Sequence, residues 1–174
     1  MATGTIELLP AAAAFPDEST DNLAAGFEIV KGTQANDKVF YPRLIFKHTR
    51  IERCMWTFRM PADYASGGTL KLELQTAVTT AGDIVMQARV AAVTAADADT
   101  PQEHAWAAAA ASAAIANNAT EAGRLIAGSV TLTMDSAAAG DLVTIQLFRD
   151  AAHASDTLDA TVYAIVAAFE YTTT

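Results

Sequence analysis

The chain has a single cysteine, Cys54, in 174 residues, so an intramolecular disulfide is impossible. Its three histidines, His48, His104 and His153, lie far apart and in no HxxxH or CxxC setting, which argues against a zinc site. Basic residues are scarce: 11 Lys and Arg stand against 20 Asp and Glu, for a net charge of -9. Lys31, Lys38, Arg43, Lys47, Arg50, Arg53 and Arg59 are spread along the chain rather than clustered. An acidic surface repels phosphate, so no nucleic acid partner is expected.

Long apolar runs are missing too. A bilayer-spanning helix needs about 20 apolar residues, and the nearest approach, "AWAAAAASAAIANNA", is too short and too weakly hydrophobic. The opening "MATGTIELLPAAAAFPDEST" has no basic n-region and its apolar stretch is broken by proline. The expectation is a soluble protein made in a cytoplasm, with no membrane partner.

Catalytic and cofactor motifs are absent: there is no GxSxG, HExxH, GxxxxGK[ST] or GxGxxG. Cys54 sits in the apolar run "CMWTFRM" and reads as a small buried side chain rather than a nucleophile paired with His48. Asp150, Asp156 and Asp159 share the loop "RDAAHASDTLDA", but without EF-hand spacing they read as turn carboxylates that accept backbone N–H bonds. No enzyme, metal or cofactor is expected.

What the chain does contain is strands. "IERCMWTFRM" places Cys54, Trp56, Phe58 and Met60 on one face. "TLKLELQT" alternates Leu70, Leu72 and Leu74 with Lys71, Glu73 and Gln75, a strand with one wet face. Between them Pro61 stops the ladder, and Asp63, Ser66, Gly67 and Gly68 supply turn chemistry. "GFEIVKG", "IVMQARVAAV", "GRLIAGSVTLTM" and "LVTIQLFR" repeat the pattern. "TVYAIVAAFEY" closes it, with Tyr163, Ile165, Ala167, Phe169 and Tyr171 expected on one face. In "KVFYPRLIFKH", Pro42 lacks a ladder donor, which predicts an edge strand or a bulge. Short strands joined by short turns predict an all-β fold, an antiparallel β-sandwich of jelly-roll type.

Two segments stand apart. Residues 1–24 read as an extended N-terminal arm ahead of a sandwich domain at 25–174. The arm's Ile6, Leu8, Leu9 and Phe15 are expected to bury on a partner. The Ala-rich stretch at about 101–120 has helical composition but no stripe of large apolar residues, so an extended or mixed structure is expected. Trp106 within it reads as an anchor onto a sheet or a neighbouring subunit, or as a platform for a sugar ring. Tyr64 near Asp63 is a second candidate platform.

The stretch "LIFKHTRIERCMWTFRMPADYASGGTLKLEL" resembles virion structural proteins of tailed bacteriophages, in which W-x-F-x-x-P leads to D-Y-x-x-G and an alternating strand. "AGDLVTIQLFRDAAHASDTLDATVYAIVAAFEY" resembles the closing half of the same proteins: a Gly-Asp turn, a strand ending in Arg-Asp, an Asp-Thr loop and a last strand ending in an aromatic. The resemblance implies a jelly-roll protein that decorates or cements a capsid from outside. It would act as a homo-oligomer, a trimer by analogy, with the major capsid protein as partner and the virion surface as location. The alternative it carries is a carbohydrate- or receptor-binding knob of a tail fibre.

Overall fold

The computed structural model describes residues 2–20, 22–32, 39–95, 98 and 100–174; Asp21 and Lys38 lie outside the described residues. The strands are β1 Thr3–Leu8, β2 Leu23–Ala24, β3 Gly26–Lys31, β4 Phe40–Phe46, β5 Glu52–Arg59, β6 Tyr64–Thr76 and β7 Asp83–Ile84. They continue as β8 Met86–Val93, β9 Ala110–Ala111, β10 Ile115–Ala116, β11 Ile126–Thr131, β12 Leu142–Arg149 and β13 Val162–Thr173. The described residues contain no α-helix, and a short 3-10 turn spans Pro10–Ala12. Two sheets face each other. One runs β11-β6-β13-β4-β3, with β1 also pairing β13; the other runs β2-β5-β12-β8-β9. The small β7–β10 pair lies outside both.

Alternation decides which side chains meet between the sheets. Leu70, Leu72 and Leu74 of β6 are buried, as are Cys54, Trp56, Val90, Val143, Ile145 and Leu147 of the opposing sheet. Burying large aliphatic side chains at about 1.5–3 kcal/mol each is the main force closing the sandwich. The turn before β6 is tighter than the sequence suggests. Tyr64 N–H donates to Pro61 O, so the reversal ends at Asp63. Ser66 to Gly68 lie within β6, where its register with β13 slips. Gly67 has φ +70°, and a Cβ on Gly68 would collide with Met134 Sδ and the Phe169 ring.

Three expectations are corrected. First, the N-terminal arm docks on its own chain. β1 pairs antiparallel with β13 from Thr3↔Thr172 to Leu8↔Ala167. Leu8 is buried, Ile6 packs against the core, and the Trp56 indole N–H donates to Leu9 O at 2.9 Å. The alternation in "TIEL" suits an edge of the chain's own sheet, and β13 is long enough to serve β4 and β1 in succession. Leu9 and Phe15 do remain exposed, at 52% and 40%. Second, β4 is an interior strand. Pro42 faces Ile29 in a pair whose backbone bonds point away from β3, and on its other side β13 pairs β4 only at Leu44–Phe46, so no ladder donor is missed. Third, the faces of β13 switch at a bulge between Ala164 and Val166. Val162 and Ala164 point inward before it, and Ala167, Phe169 and Tyr171 after it; Tyr163 lies outside, with the Arg43 guanidinium 3.5 Å from its ring centroid.

The Ala-rich stretch is mixed, within the extended or mixed structure expected: a turn at residues 101–103 leads into extended chain with the short strands β9 and β10. Ala107 N–H donates to Val90 O and Ser112 N–H to Met86 O along the edge of β8, through β9. The chain then crosses to β10, where Ile115 covers Gly128 of β11 so closely that a Cβ there would meet its Cδ1. Small side chains let the segment close one flank of the sandwich.

Candidate binding face

The groups that sequence motifs would nominate for chemistry are committed to structure. Cys54 is fully buried, and burial pushes its thiol well above the usual range. His48 is paired with Asp159 at 2.7 Å and His104 with Asp135 at 2.8 Å. The three loop carboxylates are held by different partners. Asp156 binds Arg149 through both oxygens, at 2.9 and 2.7 Å, and also accepts Val85 N–H. Asp150 accepts the Gln87 amide, and Asp159 meets His48. Arg149, wholly buried, also donates to Leu158 O and Ala160 O, so this constellation staples the 150–160 loop beneath β7. Among the described residues no group of three His, Cys, Asp or Glu is placed to hold a metal ion, and no helix is long and apolar enough to cross a membrane.

The outer face of the five-stranded sheet differs. Its register aligns Arg53, Met55, Thr57 and Arg59 of β5 with Phe148, Gln146, Thr144 and Leu142 of β12, and those with Gln87, Arg89, Ala91 and Val93 of β8. No outward position of these three strands carries a carboxylate, in a chain with almost twice as many acids as bases. Trp106 folds over this face from the β8 edge, held there by the neighbouring Ala107–Val90 bond. The Arg89 guanidinium lies 4.7 Å from the Trp106 ring and donates to Gln146 Oε1 at 2.8 Å. Arg53 lies 5.5 Å from the Phe148 ring. Gln146 is only 2% exposed, so these side chains form a packed layer. Burial first, then the charge of Arg53, holds Arg89 below the usual arginine range.

Arg89 therefore has an amide and an indole as partners, and no carboxylate among the described residues. A planar cation fixed against an aromatic ring, bordered by Gln146, Thr144 and the exposed Thr57, offers a flat surface that can hydrogen-bond hydroxyls and pair bidentately with an anion. Sequence reasoning reached Trp106 but not its partners. The outward arginines of two strands come together only through register.

The other candidates are weaker. Tyr64 is no platform: it is buried at 7% exposure against Tyr171, whose hydroxyl donates to Asp63 at 3.0 Å. An open groove of about 460 Å³ between residues 113–116 and β11 is lined by alanines, Ile115, Ile126 and Gly128, with only Lys71 and Ser129 as polar side chains. Of the expected partner-binding residues, Leu9 and Phe15 are exposed, Leu8 belongs to the core, Ile6 is partly buried against it, and Trp106 lies on the arginine face.

No family model matches the chain, and no curated protein matches it. Among solved structures, it is similar to one described as a study of promiscuous specificity in carbohydrate-binding modules of the β-sandwich superfamily. That pair shares 10% identity at a TM-score of 0.37, with 95% of this chain covered and 55% of the other, so the chain spans about half of that structure. A second is a family 11 carbohydrate-binding module from Clostridium thermocellum in complex with a β-1,3-1,4-mixed-linked tetrasaccharide. Here identity is 6% and the TM-score 0.41, with 96% and 87% covered. At these values the likeness adds nothing to the sandwich already read from the strands.

Proposed function

We propose that the chain is a non-catalytic recognition module, a carbohydrate- or receptor-binding knob carried on a phage tail fibre, and that it binds through the outer face of the five-stranded sheet. The observation that carries this reading is the Trp106–Arg89–Gln146 constellation: a stacked indole and a cation with no carboxylate partner among the described residues, on the one face whose strands present no acid. Sugar rings pack on indole faces, and guanidinium groups favour carboxylates, so the preferred ligand is a glycan that carries uronate or another carboxylate. The phage assignment rests on the resemblance of the two quoted stretches.

Affinity electrophoresis in gels containing neutral or uronate-bearing polysaccharide tests the reading. Retardation by the acidic gel, abolished in Trp106→Ala and Arg89→Ala, is expected. Retardation by neither gel, or equal retardation of wild type and both variants, would overturn it.

A second reading, a capsid decoration or cement protein bound to the major capsid protein, is favoured by a different observation. The β3–β4 hairpin exposes Phe27, Ile29, Val39 and Phe40, apolar surface suited to burial on another protein. Saturable binding to undecorated capsid shells would move the assignment to it.

A further inference from the structure

β3 ends the six-stranded sheet, and among the described residues no strand pairs its outer side. Gly32 N–H donates to Val39 O at 2.8 Å. By the alternation of an antiparallel ladder, Glu28 and Val30 then direct their backbone groups at β4, while Phe27, Ile29 and Lys31 direct theirs away from the sheet. The edge carries no proline or bulge, and its only lysine is at its end, so the usual guards against strand addition are sparse. Phe27 faces Leu44 across the ladder and Phe40 faces Lys31, which places Phe27, Ile29 and Phe40 on the core side of the sheet. They overhang the opposing sheet nonetheless and are 43%, 65% and 59% exposed.

We propose that two copies of this chain join antiparallel through the free edges of β3, about a two-fold axis at Ile29, into a dimer with one continuous sheet. The sequence of β3 is complementary to itself in that register. Ile29 faces Ile29 of the second copy, Glu28 faces Val30, Phe27 faces Lys31 and Gly26 faces Gly32. No like charges stand opposite one another, and each Lys31 ammonium, already 5.9 Å from the Phe40 ring, gains a second aromatic. The outward-pointing residues pair with each other, which forms about six inter-chain backbone hydrogen bonds. The overhanging Phe27, Ile29 and Phe40 side chains of both copies meet in one apolar cluster. Centring the axis on Val30 would instead oppose Ile29 to Lys31 and shorten the ladder. A two-fold closed contact makes a dimer, where the resemblance implies a trimer. This inference is independent of the carbohydrate reading.

Sedimentation velocity of the full chain over a dilution series tests it, with Ile29→Lys and Ile29→Pro alongside. The Ile29 N–H points outward, so proline there blocks the second copy while sparing the β3–β4 bonds. Wild type is expected to sediment as a dimer that dissociates on dilution, and both variants as monomers with unchanged far-UV circular dichroism. A wild-type monomer at every concentration, or an oligomer of unchanged mass in both variants, would overturn the proposal. Amide exchange in wild type covers the case in which the variants misfold. Phe27, Ile29 and Lys31 should be protected at high concentration and exchange on dilution; exchange independent of concentration would contradict the dimer.

Discussion

Arg149 and Arg89 lie on adjacent strands of the same sheet and face opposite ways. Arg149 points inward, is wholly buried, and finds a bidentate carboxylate and two carbonyls. Arg89 points outward, half-buried, and finds an amide and an indole. The first arrangement engages four of the cation's five N–H donors and fixes a loop. The second holds the cation in place without a carboxylate partner among the described residues. What an arginine is for depends on what its neighbours have left unmet.

Removing one member of the inner pair should give the largest effect. Asp156→Ala strands a buried guanidinium and releases Val85 N–H, and a loss of roughly 3–5 kcal/mol in denaturant unfolding is expected. Replacing both partners with apolar residues, Arg149→Met with Asp156→Leu, should restore much of that loss. Arg89→Met inverts the pattern. Its stability should change by about 1 kcal/mol or less, while binding to an acidic glycan falls by tenfold or more, since arginines and tryptophans dominate recognition surfaces.

The interior also predicts an alkaline limit. Cys54 and Tyr64 are both raised by burial, from reference values of 9.0 and 10.0. Because the folded protein resists ionising them, their contribution is intact below about pH 9 and declines as pH rises beyond it. Unfolding free energy measured from pH 7 to 11 should fall steadily above pH 9, with a shallower slope in Cys54→Ala. The smallest effect belongs to the six-stranded sheet. Lys71 and Glu170 form an exposed pair at 3.6 Å on its outer face, and Lys71→Ala should cost about 0.5 kcal/mol or less with no change in glycan binding.

The sandwich was legible because period-two alternation is a local signal: Leu70–Leu74, Cys54–Met60 and Val143–Leu147 all point where the pattern puts them. β13 shows where that logic ends. One bulged residue at Ile165 reverses the phase, and nothing in "YAIVAAF" marks it. Pro42 was misleading for a related reason, since its missing donor matters only if a partner stands opposite, and that depends on how far β13 reaches. The N-terminal arm has too few apolar residues to suggest a core of its own; it pairs instead with the chain's last strand, at almost the full sequence separation. Trp106 could be named from its place in an alanine run. Arg89 and Gln146 could not, because their meeting depends on cross-strand register.

The most direct test of the binding face is a tryptophan fluorescence titration with a uronate oligosaccharide, wild type beside Arg89→Ala. Trp56 is buried in the core and Trp106 lies on the face, so binding there should perturb one indole and leave the other unchanged. A saturable change is expected in wild type, and Arg89→Ala should lose it. No change in wild type, or an identical titration in both proteins, would contradict it.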